Sequence, residues 1–269
     1  MQDLVPISST SSFFPANEYF FPKPLVEVAE KPMIDIVINH IKSQLNCSRF
    51  IFVVDEADIT SFSFDRTLDL LTNQEAKIIE KSGETEGAIC SCLLAIDAIS
   101  HDEPLLIING DQLIDHNLSQ IVKGFLESSA AAGVITFDSV HPRWSFVSDD
   151  DNGNVLEVCE KRVISRNAIA GFYYYDTAKR FFDAAKDVLI KGCSTNGLFY
   201  ISSTLNEVIL NNGVDKHFRI PRTSYHSFYS PAKIAEFERT EFAKQLRQQA
   251  ASQIVNIICL LYTSDAADE

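Results

Sequence analysis

Residues 105 to 112 read LLIINGDQ, four apolar residues followed at once by a short polar stretch. An uninterrupted apolar run of this length is typical of a strand that is buried on both faces, as the strands of parallel sheets are. The residues that follow it, Asn109, Gly110 and Asp111, then lie at the carboxyl end of that strand. Open α/β sheets bind their ligands beyond this edge, so the stretch predicts both a fold class and the place of a site.

Outward from this strand, short apolar runs alternate with amphipathic stretches in both directions. This alternation is typical of a mostly parallel sheet sandwiched by helices. No internal repeat and no linker rich in Pro, Gly or Ser interrupts it, so we predict a single Rossmann-like α/β domain. The predicted strands cover residues 4–7, 50–54, 76–80, 105–108, 134–137, 168–175 and 217–220, with a hairpin of 144–147 and 155–158. The predicted helices cover residues 33–45, 87–99, 118–131, 177–190, 199–210 and, as one long final helix, 231–254.

The bulk composition restricts the class of protein. The chain has 269 residues, 46% of them hydrophobic, which suits one large α/β domain or two small ones. Its net charge of −14 argues against nucleic acid as a partner, because a phosphate backbone normally needs a basic surface. The six cysteines form no CxxC pair, and no run reaches the ~18 apolar residues that a membrane span needs. We therefore expect a cytoplasmic protein without a membrane span.

The last stretch, residues 259–269, reads CLLYTSDAADE and resembles the translation of a sequencing adapter. Segments of this kind are excluded from fold reasoning. We expect the domain to span residues 1–248, residues 249–258 to be the truncated end of the C-terminal helix, and residues 259–269 to be an adapter-derived artefact.

Lys23 lies between two prolines in the stretch PKPLVEVAEKPM, residues 22 to 33. Each proline fixes its own φ angle, and Pro24 also disfavours helical conformations of the residue before it, so we expect Lys23 to be extended and stiffly held. A stiffly held cation suits a triphosphate and the charge that develops during phosphoryl transfer. A surface lysine in a rigid loop is the alternative that these residues leave open.

Asp111 has two interpretations as well. A carboxylate at a strand end can hold Mg²⁺, which prefers carboxylate and phosphate oxygens, and Gly110 allows a backbone to come close to a ligand. Alternatively, Asp111 caps the next segment, since Gly-Asp is common in turns. The acidic run 149–151 precedes Asn152-Gly153 and is interpreted as a solvated hairpin turn rather than a metal site.

Two further pairs of residues carry weaker signals. Thr85 and Gly87 stand at the start of the predicted helix 87–99, where Thr85 and Glu86 are candidates for the helix cap. Glu160 and Lys161 follow the predicted strand 155–158. This carboxylate can accept hydrogen bonds from paired hydroxyls and the ammonium can contact a phosphate, while an exposed charge pair at a strand end is the alternative.

Together these motifs resemble the signature of sugar-nucleotide pyrophosphorylases, nucleotidyltransferases that join a nucleoside triphosphate to a sugar 1-phosphate. The matching segments, in the family's order, are PKPLVEV-x-x-KPM at 22–33, the T-x-G-A of residues 85–88, the NGD of residues 109–111, the V-x-EK of residues 158–161, the Gly-x-Tyr of residues 171–173 and NGLFY at 196–200. The resemblance extends over residues 4–237 and is greatest to a capsular-polysaccharide-biosynthesis branch. It implies a GT-A-like fold, a divalent metal such as Mg²⁺, and a nucleotide with a sugar phosphate, or a nucleotide sugar, as partners. It leaves a homo-oligomer open.

The resemblance also implies roles for single residues. Lys23 and Asp111 would be catalytic, with Asp111 as the metal ligand. The residues expected to contact the nucleotide are Ser9, Ser11, Thr85, Gly87, Asn109 and Gly110. Those expected to contact the sugar phosphate are Glu160, Lys161 and Gly171.

Three features depart from the family pattern. The glycine-rich phosphate loop, GxGxR in the family, here reads STSSF at residues 9–13, and no glycine occurs before Gly83. Glycine permits the positive φ angles that turn successive N–H groups towards a phosphate. Phe13 stands where the family has the loop arginine. The region 225–231 offers no second aspartate for the metal, although His226 is near that place.

With these departures, the sequence is compatible with three functions. The first is formation of a nucleotide sugar and pyrophosphate in surface or capsular polysaccharide biosynthesis. The second is a GT-A glycosyltransferase that uses a finished nucleotide sugar and needs no triphosphate loop. The third is a nucleotide-sugar-binding domain with impaired catalysis.

Overall fold

The computed structural model describes residues 1–8, 11–15, 17–45 and 49–248. The predicted helix end at 249–258 and the adapter-like tail at 259–269 lie outside the described residues. The strands are β1 (Gln2–Pro6), β2 (Glu27–Val28), β3 (Lys31–Pro32), β4 (Arg49–Asp55), β5 (Lys77–Lys81), β6 (Leu105–Ile108), β7 (Gln112–Ile114), β8 (Ala132–Asp138), β9 (Ser145–Asp149), β10 (Val155–Glu160), β11 (Asn167–Tyr175), β12 (Asp215–Ile220) and β13 (Tyr225–Ser227). The α-helices are α1 (Met33–Gln44), α2 (Glu56–Phe62), α3 (Phe64–Leu71), α4 (Ala88–Leu93), α5 (Leu118–Glu127), α6 (Ala178–Ile190), α7 (Ser202–Leu210) and α8 (Pro231–Phe237).

Within the described residues, nine strands form one sheet, in the spatial order β10-β9-β11-β6-β1-β4-β5, with β8 also paired to β11 and β12 paired to β8. The four neighbours β6, β1, β4 and β5 are parallel. β11 is antiparallel to β6 and to β8 and β9 on its other side. The predicted α/β domain, with a central sheet flanked by helices, is confirmed, and its parallel part brings four carboxyl strand ends to one edge.

The two faces of the sheet bury two hydrophobic cores, because side chains alternate along each strand. In β6, Leu106 and Ile108 face one core while Leu105 and Ile107 face the other, and all four are buried. Helices α1, α3, α5 and α8 contribute to the first core, and α4, α6 and α7 to the second. Burial on both faces is the state that the apolar run at 105–108 predicts.

Two predicted helices differ from those observed. Where the sequence predicts a helix over residues 87–99, the observed helix α4 ends at Leu93. After α4 the backbone hydrogen bonds connect residues three apart, such as Ala95 N–H to Cys92 O at 3.1 Å, and a 3₁₀ turn follows at Ile96–Ala98. The single final helix 231–254 is wrong. Helix α8 ends at Phe237 and a second helix covers residues 241–248. Of the described helices, none is long and apolar enough to cross a membrane.

Candidate functional site

A cavity of about 480 Å³ lies at the carboxyl edge of the four parallel strands. Its wall includes Ile7 after β1, Asp55 at the end of β4, Lys81 at the end of β5 and Asn109 after β6. This is the edge at which α/β sheets bind ligands. Six of the predicted site residues line the cavity: Lys23, Thr85, Gly87, Asn109, Gly110 and Asp111.

Lys23 and Asp111 form an ion pair within this cavity, Nζ donating to Oδ2. The two side chains are 14% and 29% exposed, so the pair is partly shielded from water. Lys23 begins a 3₁₀ turn, Lys23–Leu25, whose hydrogen bond runs from Val26 N–H to Lys23 O at 3.1 Å. The expectation of an extended Lys23 is therefore wrong. Pro24 fits the turn because the first residues of a helix have no intrahelical use for an N–H.

Gly110 and Gly171 fix the end of β6 by close packing. A Cβ atom on Gly110 would lie 2.3 Å from Cγ2 of Ile7, the residue after β1, so packing against Ile7 requires a glycine here. Gly171 has a φ of +61°, and a Cβ atom there would lie 2.3 Å from Nδ2 of Asn109. Its carbonyl accepts hydrogen bonds from Asn109 N–H at 3.0 Å and from Gln112 Nε2 at 2.9 Å. Gly171 thus packs against Asn109 and accepts its backbone hydrogen bond, but does not itself line the cavity.

Gly87 joins two segments into one wall of the cavity. Its φ is +112°, and a Cβ atom there would lie 2.5 Å from the carbonyl oxygen of Phe199. Phe199 N–H donates to Glu86 O at 2.7 Å. This backbone contact holds the neighbouring Tyr200 at the cavity.

Thr85 lines the same wall. Its Oγ1 lies 2.7 Å from Oγ of Ser91, and either atom can be the donor. The residue directly before α4 is Gly87, and no side chain caps that helix. Thr85 and Glu86 are therefore not its caps, contrary to the prediction.

Glu160 and Lys161 lie beside the cavity rather than in its lining. Oε2 of Glu160 accepts hydrogen bonds from the hydroxyls of Ser145 and, at 2.8 Å, Ser202. Nζ of Lys161 bonds the hydroxyl of Tyr200 and lies 4.6 Å from the centroid of its ring. Both charged residues are partly buried, so the alternative of an exposed charge pair is excluded. Tyr200 connects Lys161 to the cavity.

Of the serine-rich loop after β1, Ser8 lines the cavity, and residues 11–14 do not. Ser9 lies outside the described residues. Ser11 does not line the cavity, and its hydroxyl accepts a hydrogen bond from Phe13 N–H at 3.3 Å. Phe13 packs its ring against Tyr229, with centroids 5.6 Å apart. The described part of the loop is therefore a local turn.

A second cation, Lys81, lies at this edge and was not predicted from the sequence. Lys81 is 4% exposed, and its Nζ lies 2.9 Å from Oδ2 of Asp55 and 2.6 Å from the carbonyl oxygen of Gly83. Burial raises the pKa of the neighbouring Asp58 carboxyl, and the charge of Asp55 adds to the rise. The signal that identified Asp111, a polar residue at the end of an apolar run, was also present at Asp55.

Asp111 is the residue best placed to hold a divalent cation. In the described part of the chain, no group of three or more His, Cys, Asp or Glu side chains could hold a metal ion. Asp55 and Glu84 also line the cavity, and Asp55 is paired with Lys81. Mg²⁺ is usually bound by one or two carboxylates together with substrate phosphates and water, so Asp111 fits a site that the substrate completes. His226 lines a different cavity, where burial lowers the pKa of its imidazole. It is therefore not a second ligand beside Asp111.

The fold and this cavity define an α/β domain that presents a lysine–aspartate pair at the carboxyl edge of parallel strands. The family described as nucleotidyl transferase matches residues 19–196, about two thirds of the chain, and the chain belongs to this family. No curated protein matches the sequence.

Two solved structures are similar in fold. The nucleoside-diphosphate-sugar pyrophosphorylase from Vibrio cholerae RC9 has a TM-score of 0.76 at 19% identity, over 88% of this chain and 100% of that chain. A Bacillus anthracis protein described as a glucose-1-phosphate thymidylyltransferase, in complex with sucrose, has a TM-score of 0.69 at 18% identity, over 91% of this chain and 94% of that chain. At these identities the structures establish the shared fold, and function is argued from the site.

Proposed function

We propose that the chain transfers a nucleotidyl group from a nucleoside triphosphate to a sugar 1-phosphate, in surface or capsular polysaccharide biosynthesis. The observation that carries this proposal is the Lys23–Asp111 ion pair in the cavity at the sheet edge. The cavity volume of about 480 Å³ lies in the usual range of small-molecule sites. We assign this activity to a domain of residues 1–248.

The proposed reaction exchanges one phosphoanhydride for another. An oxygen of the sugar phosphate attacks the α-phosphorus, and the bond from that phosphorus to the oxygen bridging it to the β-phosphate breaks. Pyrophosphate leaves with the electron pair. Lys23 exchanges its partner Asp111 for phosphate oxygens and stabilises the charge that develops on them. Asp111, once released, would be the residue to hold Mg²⁺, which would supply neutralisation of phosphate charge.

The remaining residues bind and orient the two substrates. In this proposal Thr85, Gly87, Asn109 and Gly110 contact the nucleotide, together with Ser9 and Ser11 from the loop after β1. Glu160, Lys161 and Gly171 serve the sugar phosphate. The link from Lys161 to the cavity runs through the hydroxyl of Tyr200.

The test is pyrophosphate release by the purified chain, with Mg²⁺, against a panel of nucleoside triphosphates and sugar 1-phosphates. We expect turnover that falls by about 10²–10³ in Lys23→Gln and in Asp111→Asn, because each removes a group that stabilises transition-state charge. Lys123→Gln is the matched control, since Lys123 is exposed on α5 and its ion-pair partner among the described residues is Glu127. Absence of turnover with folded protein, or equal turnover in all variants, would refute the proposal.

A glycosyltransferase that uses a nucleotide sugar is the second candidate. It is favoured by one observation, the local turn at residues 11–14, where Phe13 occupies the register of the loop arginine and packs on Tyr229. A nucleotide diphosphate needs no triphosphate loop. Release of nucleoside diphosphate that depends on an added acceptor, without pyrophosphate release, would select this candidate. Binding of nucleotide sugars without turnover would instead select a binding domain.

A further inference from the structure

The helix at residues 241–248 packs on two histidines that come from distant parts of the chain. The ring centroid of Phe242, in this helix, lies 5.8 Å from that of His40 on α1 and 6.0 Å from that of His226 in β13. Ala243, the next residue of the helix, is fully buried. The proposed nucleotidyl transfer uses neither histidine, so this contact has no assigned role.

His40 is held beneath the helix by one hydrogen bond. Its Nε2 donates to the carbonyl oxygen of Ile114 at 2.9 Å. Burial lowers the pKa of this imidazole, although the bond to Ile114 and the charge of Asp115 oppose the fall. The neutral form of His40 is therefore the one that suits the packed helix.

His226 is surrounded by aromatic rings and lacks a partner for one nitrogen. Its ring centroid lies 5.0 Å from that of Phe237, in addition to the contact with Phe242. Its Nε2 is buried and has no hydrogen-bond partner among the described residues. A proton on this nitrogen would create a buried, charged donor without an acceptor, which is costly.

The charges that face the two rings do not remove this cost. Burial is the main reason that the pKa of His226 is lowered; Asp115 and Glu236 oppose the fall, and Arg222 and His40 add to it. Asp115 is exposed, and Glu236 is paired with Lys233. The two histidines also disfavour each other's protonation, because like charges would then lie close together.

The charged residues of the helix itself have partners away from the histidines. Glu241 pairs with Lys244, and Arg247 donates to the carbonyl oxygen of Glu238 at 2.9 Å. The carboxylate of Glu238, just before the helix, accepts a hydrogen bond from Ala29 N–H at 3.2 Å. Glutamates ordinarily titrate near pH 4.3. Between pH 7.5 and pH 5.0 the histidines are therefore the described groups at this contact that change their charge.

We propose that the helix at residues 241–248 is a pH-sensitive switch, which packs on His40 and His226 while both are neutral and is released when they are protonated. A histidine exposed by release has an ordinary pKa of about 6.5. Because the pKa is lower in the packed state, the released state binds more protons. Packing of the helix is therefore at full strength above about pH 6.5 and weakens as the pH falls below that value.

Release of the helix would also reach a cavity. His226, Phe237 and Thr240 line a cavity of about 520 Å³ that is separate from the one holding Lys23 and Asp111. Two of these residues, His226 and Phe237, pack against Phe242 of the helix. Protonation would therefore alter one wall of this cavity while the Lys23–Asp111 pair stays in place.

Hydrogen exchange on the full chain tests the switch. The protection factors of amides 243–248, corrected for the intrinsic pH dependence of exchange, should fall at least about tenfold between pH 7.5 and pH 5.0, because each added proton weakens packing up to about tenfold per pH unit below 6.5. The amides of α6 serve as the internal reference, since this helix packs in the other hydrophobic core. They should lose no protection over the same range.

The double variant His40→Gln/His226→Phe should show less than a twofold fall, because both replacements are neutral at every pH. Glutamine retains a donor for the carbonyl of Ile114, and phenylalanine retains a ring among the aromatic neighbours of His226. His101→Gln is the matched control and should follow the wild type. His101 is exposed, bonds the carbonyl of Ile96 at 3.1 Å and packs on Phe182 of α6.

Three outcomes would overturn the switch. The first is unchanged protection of amides 243–248 in the wild type across this pH range. The second is an equal loss in α6, which indicates acid unfolding of the whole protein. The third is a fall of wild-type size in the folded double variant. Should the double variant not fold, the single variants His40→Gln and His226→Phe replace it, and each should show a smaller fall than the wild type.

Discussion

At the scale of single residues, Gly171 holds the end of β6 in place through two features that act together. Its φ of +61° is strained for any other residue, and its missing Cβ makes room for the Asn109 amide. We expect Gly171→Ala to destabilise the protein by about 2–4 kcal/mol, the sum of backbone strain and overpacking. Urea denaturation measures this. Gly192→Ala is the matched control, since Gly192 has a φ of +66° with no atom within 4 Å of a built Cβ. Equal losses in the two variants would contradict the role given to packing.

Lys81 makes a different kind of contribution, because its charge is buried beside Asp55. Lys81→Met keeps the length of the side chain and leaves the carboxylate without its partner. We expect a loss of about 1–3 kcal/mol, since a poorly solvated acceptor is left unsatisfied. Lys179→Met removes an exposed pair with Asp183 and should change the unfolding free energy by less than about 0.5 kcal/mol. A similar small change in Lys81→Met would show that the Asp55 pair contributes little.

At the scale of elements, the sequence predicts what local periodicity determines. The buried strands at 50–54 and 105–108 and the helix from Met33 follow from runs and spacing of apolar residues. The turn at Lys23 could not be predicted from the local sequence, because Pro24 favours an extended conformation of the residue before it. The observed turn depends on the burial of Pro24 and on the distant partner Asp111. The local pattern of residues therefore predicts the regular helices and strands, whereas a conformation such as that of Lys23 depends on contacts between residues distant in the chain.

The break in the final helix has an identifiable cause. Thr240 accepts a hydrogen bond at Oγ1 from Ala243 N–H at 3.1 Å, the arrangement of a helix N-cap. We expect Thr240→Ala to destabilise the helix at 241–248 by about 1 kcal/mol, because an N–H of its first turn loses its acceptor. Hydrogen exchange of amides 243–248 measures this. Thr240→Ser keeps the acceptor and should keep the protection. Faster exchange in the serine variant as well would point to the lost methyl group instead of the cap.

At the scale of the whole molecule, the parallel order β6-β1-β4-β5 explains why part of the candidate site can be predicted from the sequence. The polar residues that follow these strands all lie at one edge of the sheet. The position of Asn109, Gly110 and Asp111 at that edge could therefore be predicted from the single apolar run before them. Lys81 could be placed only once β4 and β5 were known to be neighbours. The cavity that His226 lines could not be predicted, because its lining residues, such as Arg143 and Arg222, are far apart in the chain and are brought together by the fold.

The stability of the whole fold should depend on pH through Asp215, at the start of β12. This residue is 1% exposed, and neither carboxylate oxygen has a hydrogen-bond partner among the described residues. Burial raises its pKa to about 8, although Arg180 opposes the rise and Asp176 adds to it. In the unfolded chain an aspartate has a pKa of about 3.9. The folded state therefore binds the extra proton, and the stability that this proton confers is fully present below about pH 3.9.

That stability is lost as the pH rises from about 3.9 to the folded pKa of about 8, at up to about 1.4 kcal/mol per unit. Asp215→Asn keeps a neutral side chain of the same shape at every pH. Its unfolding free energy should exceed that of the wild type by an amount that grows across this window and stays constant above about pH 8. Urea denaturation at a series of pH values measures the difference. Asp102→Asn, at an exposed turn, is the control and should follow the wild type throughout. If Asp215→Asn also follows the wild type, the carboxyl is ionised in the folded protein, and a counter-charge must stabilise it there.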